Sequence, residues 1–102
     1  MAETDDDLLH AKLNAETARL HWTELQPHYA RGAVVKVAPD LDLIAVAVCM
    51  ARDDKEAIEG WLAGGGMVRA DDVDARDWEK RNPVLWAVVV APWVLVQERT
   101  AS

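Results

Sequence analysis

Three histidines, one cysteine and several neighbouring aspartates are the residues of this chain with the chemistry to hold a metal or move a proton. His21 and His28 are separated by about two helical turns, but Thr23 and Pro27 mark a helix boundary between them, and His10 lies well upstream. A zinc site calls for H-x-x-x-H spacing or paired cysteines. Neither occurs, so the histidines are read as surface or helix-end residues. Cys49 stands between Val48 and Met50 in an apolar run without a neighbouring base, and there is no G-x-S-x-G elbow. It is expected to act as a small hydrophobe. Asp40 with Asp42, Asp53 with Asp54, and Asp71 with Asp72 each fall where a helix should begin, and N-capping accounts for all three pairs. The run Asp5, Asp6, Asp7 after Thr4 is a natural metal candidate, but a helix start explains it at lower cost. Gly64, Gly65 and Gly66 lack the following Lys and Ser or Thr of a phosphate-binding loop, so they read as a helix terminus. From these residues no catalytic, cofactor-binding or metal site is expected.

The elements that would carry a site are limited by size. A chain of 102 residues makes one domain, expected over 1–102 with 1–6 as a frayed start and 99–102 as a tail. A domain this small buries little more than roughly 60% of its unfolded surface, so most apolar side chains are committed to the core. Apolar residues at 51% and charged residues at 28% suit a globular chain and not a disordered one. The net charge of -7, from 18 acidic and 11 basic residues, disfavours a nucleic-acid partner held by its phosphates. Arg76, Lys80 and Arg81, with Arg69 just before them, are read as a solvated helix face. A single cysteine excludes an internal disulfide, no run of 18 apolar residues occurs, and MAETDDDLLH has no apolar signal region. A cytoplasmic protein is expected.

Leu9, Leu13 and Leu20, with Leu8 and Ala11, give the stripe of a helix to about residue 20. A second helix is expected from Thr23, capped with Gln26 three residues on, with Pro27 in its first turn and Gly32 at its end. AVVKVA at 33–38 reads as a short strand stopped by Pro39. LDLIAVAVCMA at 41–51 alternates like a buried strand, yet its four alanines and the recurrence of Leu41, Ile44 and Val48 favour a central helix capped by Asp40. Asp53 and Asp54 introduce a further helix with Ile58, Trp61 and Leu62 facing inward. An extended stretch from Met67 to Arg69 precedes one more helix, opened by Asp71 and Asp74 and closed by Asn82 and Pro83, with Val73 and Trp78 inward.

VLWAVVVAPWVLV, from Val84 to Val96, carries no charge and has very high strand propensity. Exposed at an edge it would template aggregation, so it must be central, covered or shared with another chain. Ala91 and Pro92 allow either a hairpin or one long strand bent at Pro92; Ala-Pro is not a favoured pair for a two-residue hairpin. The fold class is therefore α+β: a small, mostly antiparallel sheet with strands near 33–38 and 84–97, packed with about five helices.

LNAETARL, WTELQPHYARG, LDLIAVAV and LWAVVVAPWVLVQE resemble the small bacterial proteins of domain-of-unknown-function family 2288, from about Leu13 to Glu98. The resemblance implies a bacterial, cytoplasmic protein, and it brings no activity or site residue with it.

Five tryptophans and no phenylalanine are unusual. Trp61 and Trp78 read as core; Trp86 and Trp93 lie on the strand segment, where an indole can anchor an interface, although core filling is the favoured reading there too. The favoured function is a non-enzymatic interaction module that self-associates as a homodimer, or docks an unidentified protein, through Trp86, Val88, Trp93 and Leu95. The alternatives are a small-molecule binder or enzyme with a Trp-walled pocket between sheet and helices, and a winged-helix-like nucleic-acid binder that the charge disfavours.

Overall fold

The computed structural model describes residues 5–98. In chain order these form α1 (Asp5–Glu16), β1 (Ala18–His21), α2 (Trp22–Ala30), β2 (Val34–Val37), α3 (Leu43–Ala51), α4 (Lys55–Gly64), β3 (Met67–Arg69), α5 (Asp72–Arg81), β4 (Val84–Val90) and β5 (Trp93–Gln97). The strands make one sheet in the order β1-β4-β5-β2-β3. Only the β2–β5 pair is parallel. The α+β class expected from the sequence is what the chain adopts. The proposed cap at Thr4 and the tail at 99–102 lie outside the described residues.

The uncharged C-terminal segment is a hairpin at the centre of this sheet. β4 and β5 pair antiparallel with Val90 opposite Trp93, joined by Ala91–Pro92, whose peptide bond is cis. Helices cover both faces. On one face Leu13 of α1, Leu43, Ile44, Val46 and Ala47 of α3, and Ile58 and Trp61 of α4 pack on Val35, Val37, Met67, Val88 and Leu95. On the other, Trp22 and Leu25 of α2 and Trp78 of α5 pack on Val34, Leu85, Ala87, Val94 and Val96. Alternate residues of a strand point to opposite faces, so burial on both sides requires apolar side chains at both parities, which explains the continuous run. Fully burying each Val or Leu is worth about 1.5–3 kcal/mol, making this hairpin the main apolar contributor to the core.

Capping sets the helix starts. Asp42 accepts from the Ile44 and Ala45 N–H groups, Asp54 from Ala57, and Asp71 exchanges side-chain bonds with Asp74 in a full capping box. Asp40, expected to cap α3, stands in the preceding turn. Gly65 ends α4 with φ 81, a left-handed conformation that a side chain would strain.

Three further expectations are corrected. α1 stops at Glu16, where the Thr17 hydroxyl donates to the Leu13 carbonyl, and Leu20 belongs to a strand instead, opposite Leu85. α2 begins at Trp22, not after Thr23; Glu24 accepts the His21 N–H at 2.8 Å, and Pro27 lies inside the helix on an exposed flank. Leu62 and Val73, expected to face inward, are 52% and 69% exposed. Of the two readings open for 84–97, the chain adopts the hairpin.

Gln97 is the only polar residue among the buried ones described, and its Nε2 donates to the carbonyls of Ala38 and Leu41 at 2.8 and 2.7 Å. It ties the end of β5 to the turn between β2 and α3. Gln97→Leu removes both of these bonds, and although the Ala38 carbonyl keeps the Leu41 N–H at 3.1 Å, the loss should lower stability by about 2 kcal/mol. Urea unfolding should show a lower midpoint with an unchanged slope.

Candidate functional site

The helical cover of the sheet is incomplete at the hairpin tip. There, on the face packed by α1, α3 and α4, lies a groove of about 510 Å³. Val35, Met67, Val90 and Trp93 from the sheet form one side, and Met50, Ile58 and Leu62 from α3 and α4 form the other. Ala91 and Pro92 close the hairpin end. Two charged residues join this apolar lining, Asp53 and Arg69. Asp53 has φ 57 just after α3, a conformation that aspartate adopts more readily than most residues.

Arg69 is held in place. Its Nη2 donates to the Gly32 carbonyl at 2.6 Å, and its guanidinium carbon lies 5.4 Å from the Trp93 ring centroid. Gly32 itself has φ 71, and a Cβ there would come within 2.8 Å of Arg69 Nη2, so a glycine suits both the backbone and the arginine. At the other edge of the sheet Arg19 stacks on Trp86 at the same 5.4 Å. Each half-buried tryptophan of the central hairpin is thus covered by an arginine from an edge strand.

Of the four residues expected at an interface, Val88 and Leu95 are buried at 1% and 0% exposure in the chain's own core and have no surface left for a partner. Trp86 and Trp93 are half-buried on the same face, and only Trp93 lines the groove. Both edges of β5 are paired within the chain, and β1 covers β4 from Val84 to Ala87. The sequence reading missed Arg69, Met67 and Met50. The alternation in Met67-Val68-Arg69 held the signal for the first two, because it sets both on one face of a strand.

A second cavity, about 320 Å³, lies on the opposite face beside Trp78. Its charges are already matched within the chain. Lys36 Nζ meets Asp74 at 2.7 Å, and Arg81 bridges Asp77 and Glu98, at 2.5 and 2.8 Å. Arg81, expected as part of a solvated basic face, is therefore neutralised by two carboxylates. Its hydrogen bonds hold the Asp77 and Glu98 carboxyls below their ordinary range, against the opposing effect of burial. Tyr29 hydrogen-bonds Asp72, which pushes its phenol up. Cys49 is half-buried, and desolvation raises its thiol, with the Asp54 charge adding to the shift. His21 and His28 stand at the two ends of α2, and His10 is exposed on α1. Among the described residues no three His, Cys, Asp or Glu side chains converge as metal ligands, and no helix is long and apolar enough to cross a membrane.

The chain is thus an α+β domain whose sheet is covered on both faces, with an apolar groove at the tip of its central hairpin. The chain belongs to the family described as protein of unknown function (DUF2288), whose profile matches residues 8–98. It is similar to the protein PA1075 from Pseudomonas aeruginosa, known from an NMR solution structure. The two are 48% identical over 99% of this chain and 92% of that one, with a TM-score of 0.81. No curated protein matches the chain.

The Arg81 contacts imply an acid limb in stability. A carboxyl whose folded pKa is depressed stabilises the fold above its unfolded value, near 4. That contribution disappears as pH falls through the lower folded value. Arg81→Gln should move the midpoint of Glu98, followed through its side-chain carboxyl carbon by NMR, upward toward the ordinary glutamate value. An unmoved midpoint would show that Arg81 does not set it.

Proposed function

We propose that this chain is a non-enzymatic binding protein whose site is the groove at the tip of the β4–β5 hairpin, taking a small apolar ligand against Trp93. The observation that carries the reading is the groove itself. Its volume of about 510 Å³ falls inside the range of roughly 300–1,000 Å³ typical of small-ligand sites. Its lining combines two methionines, which adapt to a guest, with a rigid indole and only two charged groups. A broad protein interface is less well served here. Arg52, Asp53, Asp54, Lys55 and Glu56, all exposed and charged, follow α3, while the other strongly exposed apolar side chains sit elsewhere on α1, β3, α5 and β4.

Octan-1-ol, an uncharged probe, should shift the amide resonances of Met67, Trp93 and Leu62 and leave those of α2 and α5 in place. Leu62→Lys places a charge on an already exposed wall, so the fold should survive. Affinity should fall roughly tenfold, the equivalent of about 1.4 kcal/mol of lost apolar contact. No shifts at the groove in the native protein, with octan-1-ol or with octanoate, would sink the reading.

A second reading, of an interaction module that self-associates, is supported by a different observation. β1 pairs with β4 only as far as Ala87, so the outer edge of Val88–Val90 has no neighbouring strand among the described residues, and Val89 is 55% exposed beside it. Two such edges could join about a twofold axis. Light scattering behind size exclusion should then show a dimer at micromolar concentration, and Val89→Lys should return it to a monomer.

A further inference from the structure

Within the groove one charged group is fixed and unmatched. The chain carries 18 acidic residues against 11 basic ones, and Lys36 and Arg81 are each bound to carboxylates. No carboxylate among the described residues lies within ion-pair distance of Arg69. Its hydrogen bond goes to a neutral backbone carbonyl, that of Gly32, and its guanidinium carbon lies over the Trp93 ring. A guanidinium has five N–H donors, and the bond to Gly32 uses one of them. Arg69 is itself exposed, so the rest of the fork faces water at the rim of an apolar groove and is open to a ligand. Because the side chain is already ordered by Gly32 and Trp93, a ligand that engages it meets little of the usual entropy cost of fixing an arginine.

Asp53, the other charged lining residue, is differently placed. It is exposed on the turn after α3, with its backbone N–H bonded to the Met50 carbonyl and no side-chain hydrogen bond or ion pair from the described residues holding its carboxylate in position. Water solvates it there. An ammonium group would therefore have to order Asp53, whereas an anion finds Arg69 ready.

Resting on the reading of the groove as a ligand site, we infer that its ligand is an amphiphile with a carboxylate at one end and an apolar body. The carboxylate accepts hydrogen bonds from Arg69, and the body lies between Trp93 and Met67 on one side and Met50, Ile58 and Leu62 on the other. The volume fits a free small molecule, and the charged segment after α3 disfavours the broader footprint of a peptide. Hydrogen bonds between ionised partners are roughly twice as strong as neutral ones, so the carboxylate should dominate selectivity while the groove supplies the apolar contact.

The test compares octanoate, octan-1-ol, octyltrimethylammonium and the tripeptide N-acetyl-Leu-Leu-Leu with a free C-terminus, each titrated into the whole chain and followed by amide shifts at Trp93 and Met67. Octanoate should bind the native protein at least roughly tenfold more tightly than octan-1-ol. Arg69→Gln should bring that ratio close to one, and Arg69→Lys should keep part of it. The ratio in the native protein decides the matter even where a variant fails to fold. Equal binding of acid and alcohol overturns the carboxylate inference and leaves the groove reading standing, while binding of neither removes both. Tighter binding of the ammonium probe overturns it in favour of Asp53. Binding of the tripeptide without octanoate overturns it in favour of a peptide terminus.

Discussion

A seven-residue strand and a five-residue strand with almost no polar side chain between them can be stable in water only if both of their faces and most of their edges are covered. The rest of this molecule can be understood as that cover. α1, α3 and α4 lie on one face, α2 and α5 on the other, and β1 and β2 take the flanking edges. The outermost strands, β1 and β3, have only four and three residues. Short edges limit the unpaired backbone a sheet offers to other chains, so the apolar centre is enclosed without exposing a long ribbon in its place.

Covering the second face also explains the choice of residues there. Trp22 is enclosed, with Tyr29 edge-on at 5.5 Å and Trp78 tilted at 5.6 Å. The strand residues beneath them are a leucine, an alanine and valines, so large rings from two short helices meet small side chains on the sheet. Two helices of nine and ten residues can cover that face because each contributes an indole. This gives a physical account of a chain rich in tryptophan and without phenylalanine, although the indole nitrogen of Trp22 is left buried without a hydrogen-bond partner among the described residues.

How much was legible in the sequence follows from which interactions are local. Asp54, Asp71 and Gly65 act through neighbours within a few residues, so the boundaries of α4 and α5 could be read directly. The helical nature of 43–51 was readable from its alanines, but the choice between Asp40 and Asp42 as cap depended on where the β2 turn released the chain. β1 was hidden because ARLH has neither a run of β-branched residues nor an alternating apolar pattern; it is a strand because Leu85 and Trp86 lie beside it. Leu62 and Val73 were assigned inward by helical periodicity, which shows which residues share a stripe without showing how far the neighbouring surface extends. At Leu62 the neighbouring surface is the groove, so the failed core assignment marks the candidate site. Strand alternation could place Arg69 on the face of Met67, but not show what holds it there, because Gly32 and Trp93 are distant in sequence.

The two ends of the central hairpin differ in how they are joined to the rest of the chain. Trp86 and Trp93 are both half-buried on the same face, and both carry an arginine from an edge strand at the same distance. Their surroundings differ. Trp86 stands opposite Gln97, whose buried amide binds the turn leading into α3, so that end of the hairpin is tied into the chain by hydrogen bonds. Trp93 stands next to the reversal at Ala91–Pro92, where Met50, Leu62 and Met67 line a groove over it. An indole packed at a hydrogen-bonded junction contributes mainly to holding the fold. The same indole beside a groove keeps apolar surface within reach of a ligand, and changes to the exposed wall at Leu62 can alter that surface while the core under Val88 and Leu95 stays intact.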